Sequence, residues 1–172
     1  SSDAIRAGVA YLSEDRLSLG LNQPQSIADN LVMASLNRIL SGGLISSTRK
    51  SHVVSHWISE LGVKIGTPDD PIRTLSGGNQ QRVAIAKWLA IGPKILILDA
   101  PTVGVDVGAR AGIFDIVRKL ATEGLAIILI SDEPPEVYFN ADRVIHMVEG
   151  RFQAVYDPRQ TSLTELESTV YA

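Results

Sequence analysis

Ser76-Gly77-Gly78-Asn79 opens a segment, Leu75 to Arg82, that turns abruptly into the apolar-periodic stretch Val83, Ala84, Ile85, Ala86 and Leu89. A serine followed by two glycines at such a junction predicts a helix start with Ser76 as its N-cap. The first amides of a helix have no partner inside it, and the aligned peptide dipoles place positive potential there, so this end suits an anion such as phosphate. Taken alone, two glycines and a serine are better explained as a capped helix that binds nothing. Further along, the apolar run Ile95 to Leu98 ends in Asp99, followed by Pro101-Thr102 and Gly104-Val105-Asp106. A carboxylate at the carboxyl end of a buried strand lies where open α/β sheets bind ligands. Held rigidly and still charged beside a cation, it suits a Mg²⁺-associated part in nucleotide hydrolysis, although an isolated aspartate there reads as a strand-end turn.

These residues need an α/β layer to position them. Gly8 to Leu12, Ile95 to Leu98 and Ala126 to Ile130 are short, continuously apolar runs, the pattern of strands buried on both faces of a parallel sheet. Between the last two, Ile113, Ile116, Val117 and Leu120 fall at i, i+3, i+4 and i+7, so a helix lays one face on the sheet and returns the chain, a βαβ unit. A shorter helix near Glu136 leads to a strand over 143–148, Glu149-Gly150 turns into a hairpin strand ending near Tyr156, and the tail from Thr161 forms a last helix. From Ser26 to Leu61 the texture changes to helical spacing, with Ile27, Leu31 and Leu36, then Val53, Val54, Trp57, Ile58 and Leu61, split by a turn at Gly42-Gly43.

Together the motifs resemble the ABC ATPase family, whose Leu-Ser-Gly-Gly signature precedes an apolar strand ending in the Walker B aspartate. Leu75 to Arg82 matches the signature, Ile95 to Asp99 the Walker B strand, and Gly104-Val105-Asp106 the D-loop. Ser13-Glu14-Asp15-Arg16, the Asn79-Gln80-Gln81 continuation and Gly104 to Arg110 narrow the resemblance to the second cassette of tandem monosaccharide importer ATPases. It runs over nearly the whole chain. It implies a P-loop NTPase-like partial cassette, with a helical subdomain over 22–75 and a catalytic core over 76–172. It also implies ATP and Mg²⁺ as cofactors, the metal held by Asp99 through water. Paired head to tail, each cassette of the family lends its signature, here Ser76, Gly77, Gly78 and Asn79, to an ATP on its partner.

Several positions depart from the family pattern. No Gly-x-x-x-x-Gly-Lys-Ser/Thr phosphate loop is present, and none of the lysines follows a glycine. The opening Ser1-Ser2-Asp3 reads as the start of an excised segment whose phosphate loop lies upstream, leaving a central sheet edge unpaired and the segment inactive alone. Ala100 stands where the family has a glutamate that polarises the attacking water, and a methyl group cannot do that. Asp132 stands at the place of the switch histidine and, already charged near neutral pH, has no proton to donate. Glu14 replaces the Q-loop glutamine, and its carboxylate repels phosphate unless Mg²⁺ intervenes. An asymmetric pair follows, with an intact signature and a degenerate hydrolytic site.

Bulk properties narrow the alternatives. With 172 residues, 45% hydrophobic, the chain supports one domain with a sizeable core. A net charge of −3 with scattered basic residues provides no footprint for nucleic acid. The absence of cysteine excludes disulfides and thiolate metal sites. No apolar run approaches the roughly 20 residues of a membrane helix. His52 and His56, four apart, lack a third metal ligand and read as a solvated helix face; His146, Trp57 and Trp88 read as packing residues, and Asp69-Asp70 between prolines as a turn. Arg16 salt-bridges locally or faces a partner, two readings the residues leave open.

The expected role is the energy-coupling subunit of a bacterial sugar importer, peripheral on the cytoplasmic face of the membrane. By resemblance, its partners are another cassette, permease subunits meeting the helical segment and the Glu14 loop, and indirectly a sugar-binding protein. One rival is a non-transport ABC ATPase acting on DNA or ribosomes, which would carry coiled-coil heptads or basic linkers. Another is a silent regulatory or scaffolding cassette, favoured by Ala100 and Asp132 and opposed by the intact signature.

Overall fold

A computed structural model describes residues 2–15 and 20–171. Arg16, with its two readings, lies outside the described residues. The opening helix α1 (Ser2–Arg6) leads through Gly8 into strand β1 (Val9–Leu12). Gly8 sits at φ +87°, and its carbonyl accepts from the amides of Lys94 (2.7 Å) and Ile95 (3.0 Å). A side chain there would come within 3.0 Å of Lys94 Cγ, so glycine permits the close strand start that sets the register.

Further along the chain come α2 (Ile27–Val32), a 3₁₀ turn at Met33–Ser35, α3 (Leu36–Ile39), and a small hairpin of β2 (Leu40–Ser41) and β3 (Leu44–Ile45). Gly42 and Gly43, at φ +57° and +82°, make the two-residue turn that left-handed backbone favours. The Ser26 hydroxyl caps α2, accepting from the Asp29 amide at 3.0 Å and donating to the Asp29 carboxylate at 2.7 Å. Asn30 is wholly buried and satisfied: its Nδ2 donates to the carbonyls of Asn22 and Ser26, and its Oδ1 accepts from the Asn22 amide at 2.7 Å. Helix α4 (Ser47–Glu60) is tied to α2 by Lys50, 2.6 Å from Asp29, and this bond together with the Ser26 hydroxyl holds the Asp29 carboxyl below its ordinary value.

Beyond a 3₁₀ turn at Ile72–Thr74 lies α5 (Gly77–Leu89), then β4 (Ile95–Asp99), α6 (Val107–Thr122) and β5 (Ala126–Ile130). Arg82 of α5 donates to the carbonyls of Leu61 (2.6 Å) and Gly62 (3.2 Å), satisfying the end of α4 and binding it to α5. The strand order is β1-β4-β5, with β1 and β4 parallel and Val9 opposite Ile95 through Leu12 opposite Leu98. Helix α6 buries Ile113, Phe114, Ile116, Val117 and Leu120, the face the spacing predicted. Leu12, Ile27, Leu31, Ile85, Leu96, Leu98 and Ile113 are fully buried, each stabilising the core by about 1.5–3 kcal/mol.

The expectation of burial on both faces suits β4 best. On β5, Ile128 and Ile130 remain 50% and 45% exposed, so among the described residues one face of this strand is left partly uncovered.

The described residues gather into two units, one up to Ile128 and the other from Leu129. The second contains α7 (Pro134–Asn140), the hairpin β6 (Val144–Val148) and β7 (Arg151–Tyr156), and α8 (Leu163–Val170). Glu149 and Gly150 turn the hairpin at φ +48° and +75°, α8 packs on α7, and Ser162 caps α8 through the Glu165 amide. Among the described residues no helix is long and apolar enough to cross a membrane.

Candidate functional site

Ser76 has the extended backbone of an N-cap, φ −61° and ψ 157°, but its side chain caps no amide of α5. This corrects the expectation of a capping hydroxyl. The physical reason is a competing donor: Asn79 Nδ2, one turn into the helix, donates to Ser76 Oγ at 3.0 Å. Asn79 Oδ1 in turn accepts from the Lys64 amide at 2.9 Å, so both ends of the Asn79 side chain brace the helix start. Gln80 locks the preceding residue, its Nε2 donating to the Leu75 carbonyl at 3.0 Å. The first turn of α5 is thus rigid without a side-chain acceptor of its own.

Gly78 has a packing role. A Cβ there would lie 2.7 Å from the Ala109 Cβ and 3.7 Å from Val105, so the second glycine lets α5 meet the start of α6. At that second start Asp106, exposed, caps its own helix by accepting from the Ala109 amide at 3.0 Å. The signature and D-loop positions are therefore packed together through Gly78, Val105 and Ala109.

Asp99 ends β4 partly exposed, and the Tyr11 hydroxyl of β1 donates to its Oδ2 at 2.6 Å. This bond to Asp99, then loss of hydration and the nearby carboxylate charge, raises the Tyr11 phenol above its ordinary value. Ala100 sits at φ +44°, a left-handed conformation unusual for any residue but glycine, asparagine or aspartate, and its carbonyl accepts from the Val103 amide at 3.1 Å in the following turn. Glu14 is exposed and near enough for its charge to be felt at Tyr11.

Asp132 is exposed and belongs to the second unit, beside Ser131, whose hydroxyl donates to the buried Glu136 carboxylate at 2.7 Å. His52 and His56 are exposed on α4, and no cluster of three metal-ligating side chains occurs among the described residues. The sequence reading missed Tyr11 and Lys87. The Lys87 ammonium is buried in α5, lies 5.1 Å from the Trp88 ring centroid and donates to the Gly20 carbonyl at 2.5 Å; burial lowers its pKa. An aromatic hydroxyl near the end of an apolar strand was the available signal for Tyr11; Lys87, inside a helix of small and apolar residues, signalled a partner without naming it.

The model of the ABC transporter family matches residues 1–103, more than half of the chain. The chain belongs to the ABC transporter family. It is 45% identical over 154 residues to a ribose import ATP-binding protein of Geobacillus kaustophilus, covering 90% of this chain and 31% of that protein. A second such protein, from Rhizobium meliloti, is 46% identical over 150 residues, covering 87% of this chain and 29% of its own length. The chain thus spans about a third of these relatives. Among solved structures, the ABC transporter component cbiO1 of Clostridium perfringens superposes with a TM-score of 0.76 at 27% identity, covering 95% of this chain and 62% of that one. The cassette MJ0796, as a post-hydrolysis dimer with ADP and Pi, gives 0.73 at 22% identity, covering 92% and 67%, a likeness of fold alone. Within the ABC transporter family, then, this chain is an α/β partial cassette.

Proposed function

We propose that this chain is an ATP-binding, energy-coupling component of a bacterial sugar importer and lends its signature to an ATP held mainly by a partner cassette. The observation that carries the reading is the start of α5, a braced first turn whose N-cap hydroxyl is engaged by Asn79 rather than by the helix amides. Those amides and the positive end of the helix fit a phosphate. Ser76, Gly77 and Gly78 present this end, and Asn79 keeps it in shape. Asp99 fits a hydrated Mg²⁺: it is a strand-end carboxylate held by a neutral phenol, and no cation pairs with it among the described residues. When bound, the ion neutralises charge on the nucleotide phosphates. Asp106 keeps α6 in place against the signature, and Glu14 begins the segment that leads to the helical subdomain at 22–75.

Ala100, where the family has its glutamate, makes the hydrolytic site of this cassette the weak member of an asymmetric pair, and Asp132 in place of the switch histidine favours the same reading. Neither a methyl group nor an aspartate side chain supplies what the family's glutamate base and switch histidine supply. Energy coupling requires membrane-spanning permease subunits and, on the far side, a sugar-binding protein, with this chain peripheral on the cytoplasmic face. The relatives' names support ribose or a similar monosaccharide as cargo.

Two measurements test the reading. Ala100→Glu in the assembled transporter is expected to leave sugar-stimulated ATP turnover within about two-fold, since the other site carries hydrolysis; a many-fold rise would sink the asymmetry. Calorimetric titration of the 172-residue chain alone with Mg-ATP is expected to show no micromolar binding, because its sequence contains no phosphate loop. Micromolar affinity would contradict the division of labour between cassettes.

A further inference from the structure

We propose that Tyr11 is a positioning residue for Asp99, its phenol holding the carboxylate in the orientation that serves the metal-bound nucleotide. The inference rests on the reading of Asp99 as the metal-facing carboxylate. Its basis is register. Tyr11 lies opposite Ile97 in the parallel β1–β4 pair, and side chains two residues apart on a strand share a face, so Tyr11 and Asp99 are diagonal neighbours on one face of the sheet. That diagonal is within reach of an aromatic side chain, and the 2.6 Å separation is the length of a charge-assisted O–H···O⁻ bond.

A carboxylate at the end of a strand is otherwise free to turn about two side-chain torsions, and one strong donor selects an orientation. The identity of the donor matters as much as its place. A lysine or arginine would bring a positive charge that competes with a cation, whereas a phenol donates a hydrogen bond without one. No other hydrogen bond or ion pair engages Asp99 among the described residues. With alanine at the next position, Asp99 has no carboxylate following it on the strand, and Tyr11 is its one hydrogen-bonded support among the described residues.

The test is Mn²⁺ binding, read by electron paramagnetic resonance, to the intact importer ATPase carrying these residues and loaded with a non-hydrolysable ATP analogue. Tyr11→Phe keeps the ring and removes the donor. It is expected to weaken Mn²⁺ at this site by about five-fold while leaving nucleotide affinity in chelator unchanged. Asp99→Ala is expected to weaken Mn²⁺ further, and adding Tyr11→Phe to it should change nothing more, a coupling that a merely structural role would not produce. Unchanged Mn²⁺ affinity in Tyr11→Phe, with a loss in Asp99→Ala, overturns the role of Tyr11 alone. So does an equal loss from Tyr11→Phe with and without Asp99, which also exposes a variant that acts by misfolding. If Asp99→Ala itself leaves Mn²⁺ binding intact, the metal reading of Asp99 fails and takes the inference with it.

Discussion

At the start of α6 the Asp106 carboxylate accepts the Ala109 amide at 3.0 Å; at the start of α5 the Ser76 hydroxyl accepts from the Asn79 side chain at the same distance. The two N-cap residues have nearly the same backbone, φ −64° and ψ 152° against φ −61° and ψ 157°. The difference lies in where the anion comes from. Helix α6 brings its own negative charge and is complete in itself, which suits a structural brace. Helix α5 is stiffened by Asn79, Lys64 and Gln80 yet receives no charge from its own cap, which suits an end that meets a phosphate from elsewhere. Gly78 makes the contrast a single unit, since it lets the two starts touch.

The sharpest way to break this contrast is to give α5 what α6 already has. Ser76→Asp is expected to leave thermal stability unchanged or raised by up to about 1 kcal/mol, while cutting ATP turnover of the assembled transporter about a hundred-fold or more through repulsion of phosphate. Activity retained with the carboxylate in place would show that α5 serves packing only. Gly78→Val attacks the contact between the starts. Its Cβ would overlap Ala109, and destabilisation of about 1–3 kcal/mol is expected in chemical denaturation; a neutral result would mean that α5 and α6 separate easily. Asp106→Ala removes the cap of α6 alone. About 1 kcal/mol of stability should be lost with turnover little changed, as a melting curve beside an ATPase assay would reveal. A large loss of turnover without a loss of stability would mean that Asp106 does more than cap.

What could be read from the residues was local. The buried face of α6, the two glycine-bearing turns and the short strands followed from spacing over a dozen residues or fewer, and the structure has them where the spacing puts them. The features that shape the site depend on pairs the sequence cannot align. Tyr11 and Asp99 are 88 positions apart and meet only because Val9 is registered on Ile95. Lys87 reaches Gly20 across 67 positions, and the Asn79 side chain is held by the Lys64 backbone. Ser76 is the instructive miss. Its type predicted a capping hydroxyl, but an amide side chain three residues on competes for the same oxygen, and residue preference cannot rank the two. The apolar run of β5 shows a related limit, since composition reports the tendency to be covered and not the presence of a neighbour that covers.

The buried ammonium of Lys87 equips the molecule with a built-in optical reporter. It lies beside the indole of Trp88 while donating to the carbonyl of Gly20, so the field across that indole depends on whether this one hydrogen bond is made. The chain has two tryptophans, and the other, Trp57, is on α4 against His56. With Trp57 replaced by phenylalanine, the emission colour of a single native fluorophore would report, in real time and without a label, whether the contact of α5 with the Gly20 carbonyl is kept.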